Sequence, residues 1–188
     1  MHRALLVLLL PSVALADRLT MKRLDGTNLH IAGNRGAIHW SEDTTVVLDL
    51  AADHKLAAAV SGTRGESNLY TSYSTDDVTT WATTWTGTWA RQGDALVLDL
   101  ALASERCARV KTSSDAAPVT LACRVPAKHK RVACTSAQVE LADHTHADAW
   151  TCAGDDLGES PGWLLGKAGC LASLGGHMGR FSVQPCTP

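Results

Sequence analysis

The sequence predicts an all-β fold: an antiparallel barrel or sandwich with a disulfide-stapled, glycine-rich C-terminal extension. Three observations predict it. Apolar residues alternate with polar ones in short runs, as a half-buried strand requires. Turn residues recur between those runs. Six cysteines, an even number in a chain expected to be exported, are expected to pair as three disulfides.

The export reading comes from residues 1–16. Met1-His2-Arg3 is a short positive start, Ala4–Leu10 an apolar run, and Pro11-Ser12 a break before the small residues Ala14 and Ala16. This order matches a secretory signal peptide, with cleavage expected after Ala16. The run is far shorter than the ~20 residues of a membrane span. No cysteine follows it, so no lipid anchor and no membrane span are expected. Periplasmic or secreted residence follows.

The remainder, residues 17–188, suits one domain or two small ones. The formal net charge is −2 with Arg3 and −3 without it. A nucleic-acid binder would show a basic excess, so no nucleic acid is expected as a partner. All six cysteines lie after residue 106, while four of the six tryptophans lie before it. The chain divides accordingly into 17–106, a barrel or sheet core folding by apolar burial, and 107–188, a disulfide-rich β and loop region expected to pack on the same domain.

In chain order, Asp25-Gly26 is read as a turn linking 18–24 to 28–32. Thr45–Leu50 places Val46, Leu48 and Leu50 on one face. Gly62, Gly65 and Asn68 punctuate the chain after 56–61. In 81–90, Trp81, Trp85 and Trp89 share one parity and Thr84, Thr86 and Thr88 the other. A helix would also align the indoles, but β-branched threonines favour a strand. Leu96–Leu102 alternates with its leucines inward, and Arg91-Gln92-Gly93-Asp94 predicts a hairpin between these two runs. Short strands are expected near 118–125 and 131–136. Residues 137–149 fit a strand or a helix. Eight glycines within 153–180 predict loops, with one short helix near Trp163–Leu165.

Six cysteines allow 15 pairings. Cys123 and Cys134 flank the loop-like Pro126–Lys130, so Cys123–Cys134 is the first pairing expected, Cys170–Cys186 the second, and Cys107–Cys152 the remainder.

No catalytic constellation is assigned and no cofactor is expected. Gly158-Glu159-Ser160-Pro161-Gly162 has the spelling of a nucleophile elbow, yet Ala153–Leu157 before it does not read as a strand and no acidic residue follows Ser160. Its partner base would be His177. Glu140, His144, His146 and Asp148 would share one strand face, and alternate histidines can hold zinc or copper. A solvated polar edge is the competing reading. Asp155, Asp156 and Glu159 do not have the spacing of a calcium loop. Trp81, Trp85 and Trp89 would each bury on the order of 150–250 Å², either as plain core or as the wall of an apolar pocket.

Two stretches, Thr45–Leu50 and Thr86-Gly87-Thr88-Trp89-Ala90-Arg91-Gln92-Gly93-Asp94-Ala95-Leu96-Val97-Leu98, carry a resemblance. Residues 44–102 resemble the small lipocalin-like envelope barrels of bacteria, of the kind formed by the N-terminal domain of the copper-response lipoprotein NlpE. The resemblance implies an exported antiparallel barrel. This chain has neither the lipid-bearing cysteine nor the C-x-x-C of that protein, so copper response is not implied. The function expected is non-catalytic binding of a small apolar ligand or an envelope partner protein, with Trp81, Trp85 and Trp89 facing the ligand. The competing readings are a secreted hydrolase or metal-dependent enzyme, and a structural or inhibitory disulfide module.

Overall fold

A computed structural model describes residues 15–31, 36–69, 74–123, 126–153, 162–175 and 181–187, all of them strand, turn or connection, with no helix. The strands are β1 (Leu15–Ile31), β2 (Gly36–Ala51), β3 (Lys55–Leu69), β4 (Ser74–Gln92), β5 (Ala95–Ser113), β6 (Ala116–Leu121), β7 (His129–Glu140), β8 (His146–Ala153), β9 (Trp163–Gly166), β10 (Cys170–Gly175) and β11 (Phe181–Cys186). They form one sheet in the order β11-β10-β1-β2-β3-β4-β5-β7-β8-β9, and β6 pairs the far part of β5. The sheet curls into a half-barrel. All pairings are antiparallel except β1 with β10, where Thr20–Leu24 lies parallel to Cys170–Leu174.

Period-two burial drives the curl. Leu19 and Met21 of β1, Val46, Leu48 and Leu50 of β2, and Leu96, Leu98 and Leu100 of β5 all lie on the inner face and are buried. Trp85, Val132, Trp150, Trp163 and Leu165 join them in one cluster. The far edge comes round to meet the start: the Leu164 N–H of β9 donates to Met21 Sδ of β1 at 3.2 Å. A second cluster seals this junction from outside, with Leu141, Ala149 and Leu171 packed against Leu164 and Val183.

Several connections differ from the sequence expectation. Asp25-Gly26 is not a turn. β1 runs straight through it to Ile31, paired with β2 down to Gly36. Gly62, Gly65 and Asn68 are interior to β3, because long-range pairing on both sides overrides local turn preference. Trp163–Leu165 is strand β9 rather than helix. Its alternating burial puts Trp163 and Leu165 into the core. Gly162 permits this, since a Cβ there would stand 1.8 Å from the Cys152 carbonyl oxygen. Residues 137–149 resolve into the end of β7, a turn, and β8.

The hairpin at Gly93-Asp94 forms as expected, with Gln92 opposite Ala95 and a left-handed Gly93 (φ 62°) at the first loop position. β5 runs unbroken across residues 104–106, and β7 and β8 extend the same sheet, so 17–106 and 107–188 share it.

All six cysteines are bonded, as Cys107–Cys123, Cys134–Cys152 and Cys170–Cys186. The third pair matches the expectation. The expected Cys123–Cys134 and Cys107–Cys152 pairs are corrected. β6 and β7 do not form a hairpin with each other; both pair with β5, at opposite ends of it. Cys123 therefore emerges beside Cys107, while Cys134 faces Cys152 directly across β7–β8.

Candidate functional site

The five strands β1–β5 contain 17, 16, 15, 19 and 19 residues, far beyond the usual 5–6. The core cluster uses only one end of them. Inward residues from Thr44 toward Trp40 on β2, and their partners across the sheet, form a half-open stretch of the same concave face.

Cross-strand register places three successive inward rows there. The outermost is Trp40–Glu66–Asp77–Lys111, the next Glu42–Arg64–Thr79–Arg109, and the innermost Thr44–Gly62–Trp81–Cys107. A β-bulge makes the β5 members possible. Thr84 pairs Ser104 and Trp85 pairs Leu102, so Ala103 is skipped. The extra residue shifts the inward parity of β5 from even to odd. Without it Cys107, Arg109 and Lys111 would point outward.

The charged groups in these rows are organised. Arg109 donates to both carboxylate oxygens of Asp77, from Nε at 2.9 Å and from Nη2 at 2.7 Å. These hydrogen bonds hold the Asp77 carboxyl below the ordinary aspartate range, against the opposing effect of burial. The Arg64 guanidinium lies 6.0 Å from the Trp40 ring centroid. Asn68 Nδ2 donates to Glu66 at 3.1 Å, and Thr44 Oγ1 to Glu42 at 3.2 Å.

The three tryptophans of β4 share the inward face but occupy different surroundings. Trp85 is only 2% exposed, within the core cluster. Its Nε1 donates to Thr83 Oγ1 at 3.0 Å, and Lys130 Nζ caps its ring at 4.6 Å. Trp89 is half-buried against the core and donates to the Ala51 carbonyl at 2.9 Å. Trp81 is half-buried in the open rows. Its indole lies across Gly62, where a Cβ would come within 2.5 Å of Cζ2.

The structure places the other sequence candidates apart from this face. Glu140 ends β7 and His146 begins β8 directly opposite, while His144 sits in the turn at φ 66° with Nδ1 2.7 Å from Glu140 Oε1. Asp148 pairs Gln138 farther along β8. Among the described residues no three His, Cys, Asp or Glu side chains converge as metal ligands. Ser160, His177, Asp155, Asp156 and Glu159 lie outside the described residues, as do residues 1–14 of the segment expected to be a signal peptide. On the outer face, Leu24, Asp43, Thr63 and Leu174 line a shallow depression of about 460 Å³.

Sequence reasoning missed Trp40, Arg64, Asp77 and Arg109. Extending the even parity of Val46 backward along β2 reaches Thr44, Glu42 and Trp40, a signal that was present. The Arg109–Asp77 pair had no such signal, because the bulge at Ala103 is invisible in the alternation.

Comparison with known protein families, with curated proteins and with solved structures finds no match.

Proposed function

We propose that the protein is a non-catalytic binding protein of an exported, oxidising compartment, and that it binds on the half-open concave face of β2–β5. The observation that carries this reading is the change of character along one continuous face. The inner face is sealed with leucine and valine at one end. At the other it presents two half-buried indoles among arginines and carboxylates. Strands this long are not needed to bury that core, whereas a presented surface requires them. Three disulfides fit an oxidising compartment. In this reading Trp81, alone of the three sequence-expected tryptophans, meets the ligand, together with Trp40, and its support is that both are half-buried on the open rows.

Tryptophan fluorescence of the oxidised protein, titrated with soluble saccharides, apolar probes and an envelope protein fraction, tests the reading. A saturable change lost in Trp81→Ala is expected. No change with any of them would remove the support for binding at this face. The small apolar ligand has a second place in the depression at Leu24 and Leu174, where Leu24 is 44% exposed. An apolar probe displaced by Leu24→Asp and indifferent to Trp81→Ala would move the site there.

A further inference from the structure

We propose that the ligand of the half-open face is a neutral oligosaccharide chain lying between Trp40 and Trp81; this rests on the binding reading above and names its ligand class. Strand geometry sets the span. Trp40 and Trp81 are on β2 and β4, two strands apart, and their rows are four residues apart along the strands. At the usual strand spacing and rise this is about 16 Å on the diagonal, enough for a few pyranose rings.

The chemistry of the rows selects the class. A sugar ring is amphipathic, with a face of C–H bonds and a rim of hydroxyls. An indole supplies a large, rigid apolar surface for the first. Gly62 seats the Trp81 indole against the β3 backbone, so the ring is positioned by the sheet itself. Carboxylates and guanidinium groups supply directional acceptors and donors for the second.

Charge argues against an ionic ligand. On β2–β5 the three open rows balance Glu42, Glu66 and Asp77 against Arg64, Arg109 and Lys111, and on β1 the same rows add one residue of each sign, Arg23 opposite Thr44 and Asp25 opposite Glu42. Asp77 and Arg109 already satisfy one another through two hydrogen bonds. A phosphate or an acidic polymer would find no cationic excess, and a basic one no anionic excess. A neutral, hydroxyl-rich chain can share these paired groups without separating them.

Isothermal titration calorimetry of the full oxidised chain with cellohexaose, chitohexaose and maltohexaose tests this. At least one should bind saturably. Trp81→Ala and Trp40→Ala should each weaken that binding about tenfold or more. Asp77→Asn, which keeps the side-chain shape, should weaken it severalfold even if a tryptophan variant fails to fold. Thr86→Ala, exposed on the outer face, should leave it unchanged. If none of the three sugars binds while the fluorescence still responds to an apolar probe or an envelope protein, the sugar assignment is overturned and the binding reading survives. If a sugar binds equally well to both tryptophan variants and to Asp77→Asn, the assigned place is wrong. Response to nothing at all overturns both.

Discussion

Replacing Leu98 by alanine should destabilise the protein by about 3.5 kcal/mol. Leu98 has no exposed surface and stands in β5 between Trp89 of β4 and Val132 of β7. The change deletes three carbon groups, worth roughly 0.8 kcal/mol each on transfer from water. A residual void of about 50 Å³ would add roughly 1.2 kcal/mol at ~24 cal/mol per Å³. The adjacent Asp99→Ala is the control. Asp99 points outward, and its contact with Arg131 at 3.8 Å joins two side chains that are 60% and 69% exposed. Such a pair contributes no more than about 1 kcal/mol. Urea unfolding followed by tryptophan fluorescence, with disulfides intact, measures both. The Leu98 variant should lower the midpoint by about 1 M or more at a typical slope, and the Asp99 variant should barely move it. A Leu98→Ala cost below about 1 kcal/mol, or an equal cost for Asp99→Ala, would refute the inward parity on which the fold rests.

Non-reducing peptide mapping should recover Cys107–Cys123, Cys134–Cys152 and Cys170–Cys186; a Cys123–Cys134 peptide would contradict the separate docking of β6 and β7 on β5. Replacing Cys134 and Cys152 together by alanine should cost about 3 kcal/mol from loop entropy alone, given the 18-residue separation. Arg109→Gln should raise the Asp77 pKa toward the ordinary aspartate value, read by carboxyl-carbon NMR titration. Because the folded pKa lies below the unfolded one, the pair stabilises above about pH 4 and ceases to as pH falls through the folded value. The stability gap between wild type and Arg109→Gln should therefore close in acid, and a gap independent of pH would count against the ion pair. Gly87→Ala should be far more damaging than Gly93→Ala. The first puts a Cβ 1.8 Å from the Asp99 carbonyl oxygen, whereas the second meets nothing within 4 Å and pays only the left-handed φ, about 1–2 kcal/mol.

The strands that build the core were legible because their burial is periodic. Val46–Leu50, Trp85 and Leu96–Leu100 needed only alternation to be oriented, and Gly93-Asp94 marked its own hairpin. Glycines misled the reading elsewhere. Gly26 and Gly62 look like turns locally, but in the sheet Gly62 makes room for an indole and Gly26 simply continues a paired strand. Disulfide pairing was legible only for Cys170–Cys186, which closes a hairpin. Cys107–Cys123 depends on β6 docking on the far end of β5, a long-range choice that sequence spacing does not encode, and Cys134–Cys152 closes the β7–β8 hairpin, which was hidden because residues 137–149 fit a strand or a helix equally. In the candidate site, Trp81 could be assigned to the inward face, but not to its open part. Where packing stops along a long strand is decided by how many neighbours lie over it, and the chain supplies β7–β9 at one end only.

The binding account is tested most directly by the indole N–H resonances of the six tryptophans in ¹⁵N-labelled protein. On titration with a hexasaccharide that gives a calorimetric signal, those of Trp40 and Trp81 should move together. Those of Trp85 and Trp163, sealed in the core, should stay in place. Shifts confined to the other tryptophans, with Trp40 and Trp81 silent, would contradict it.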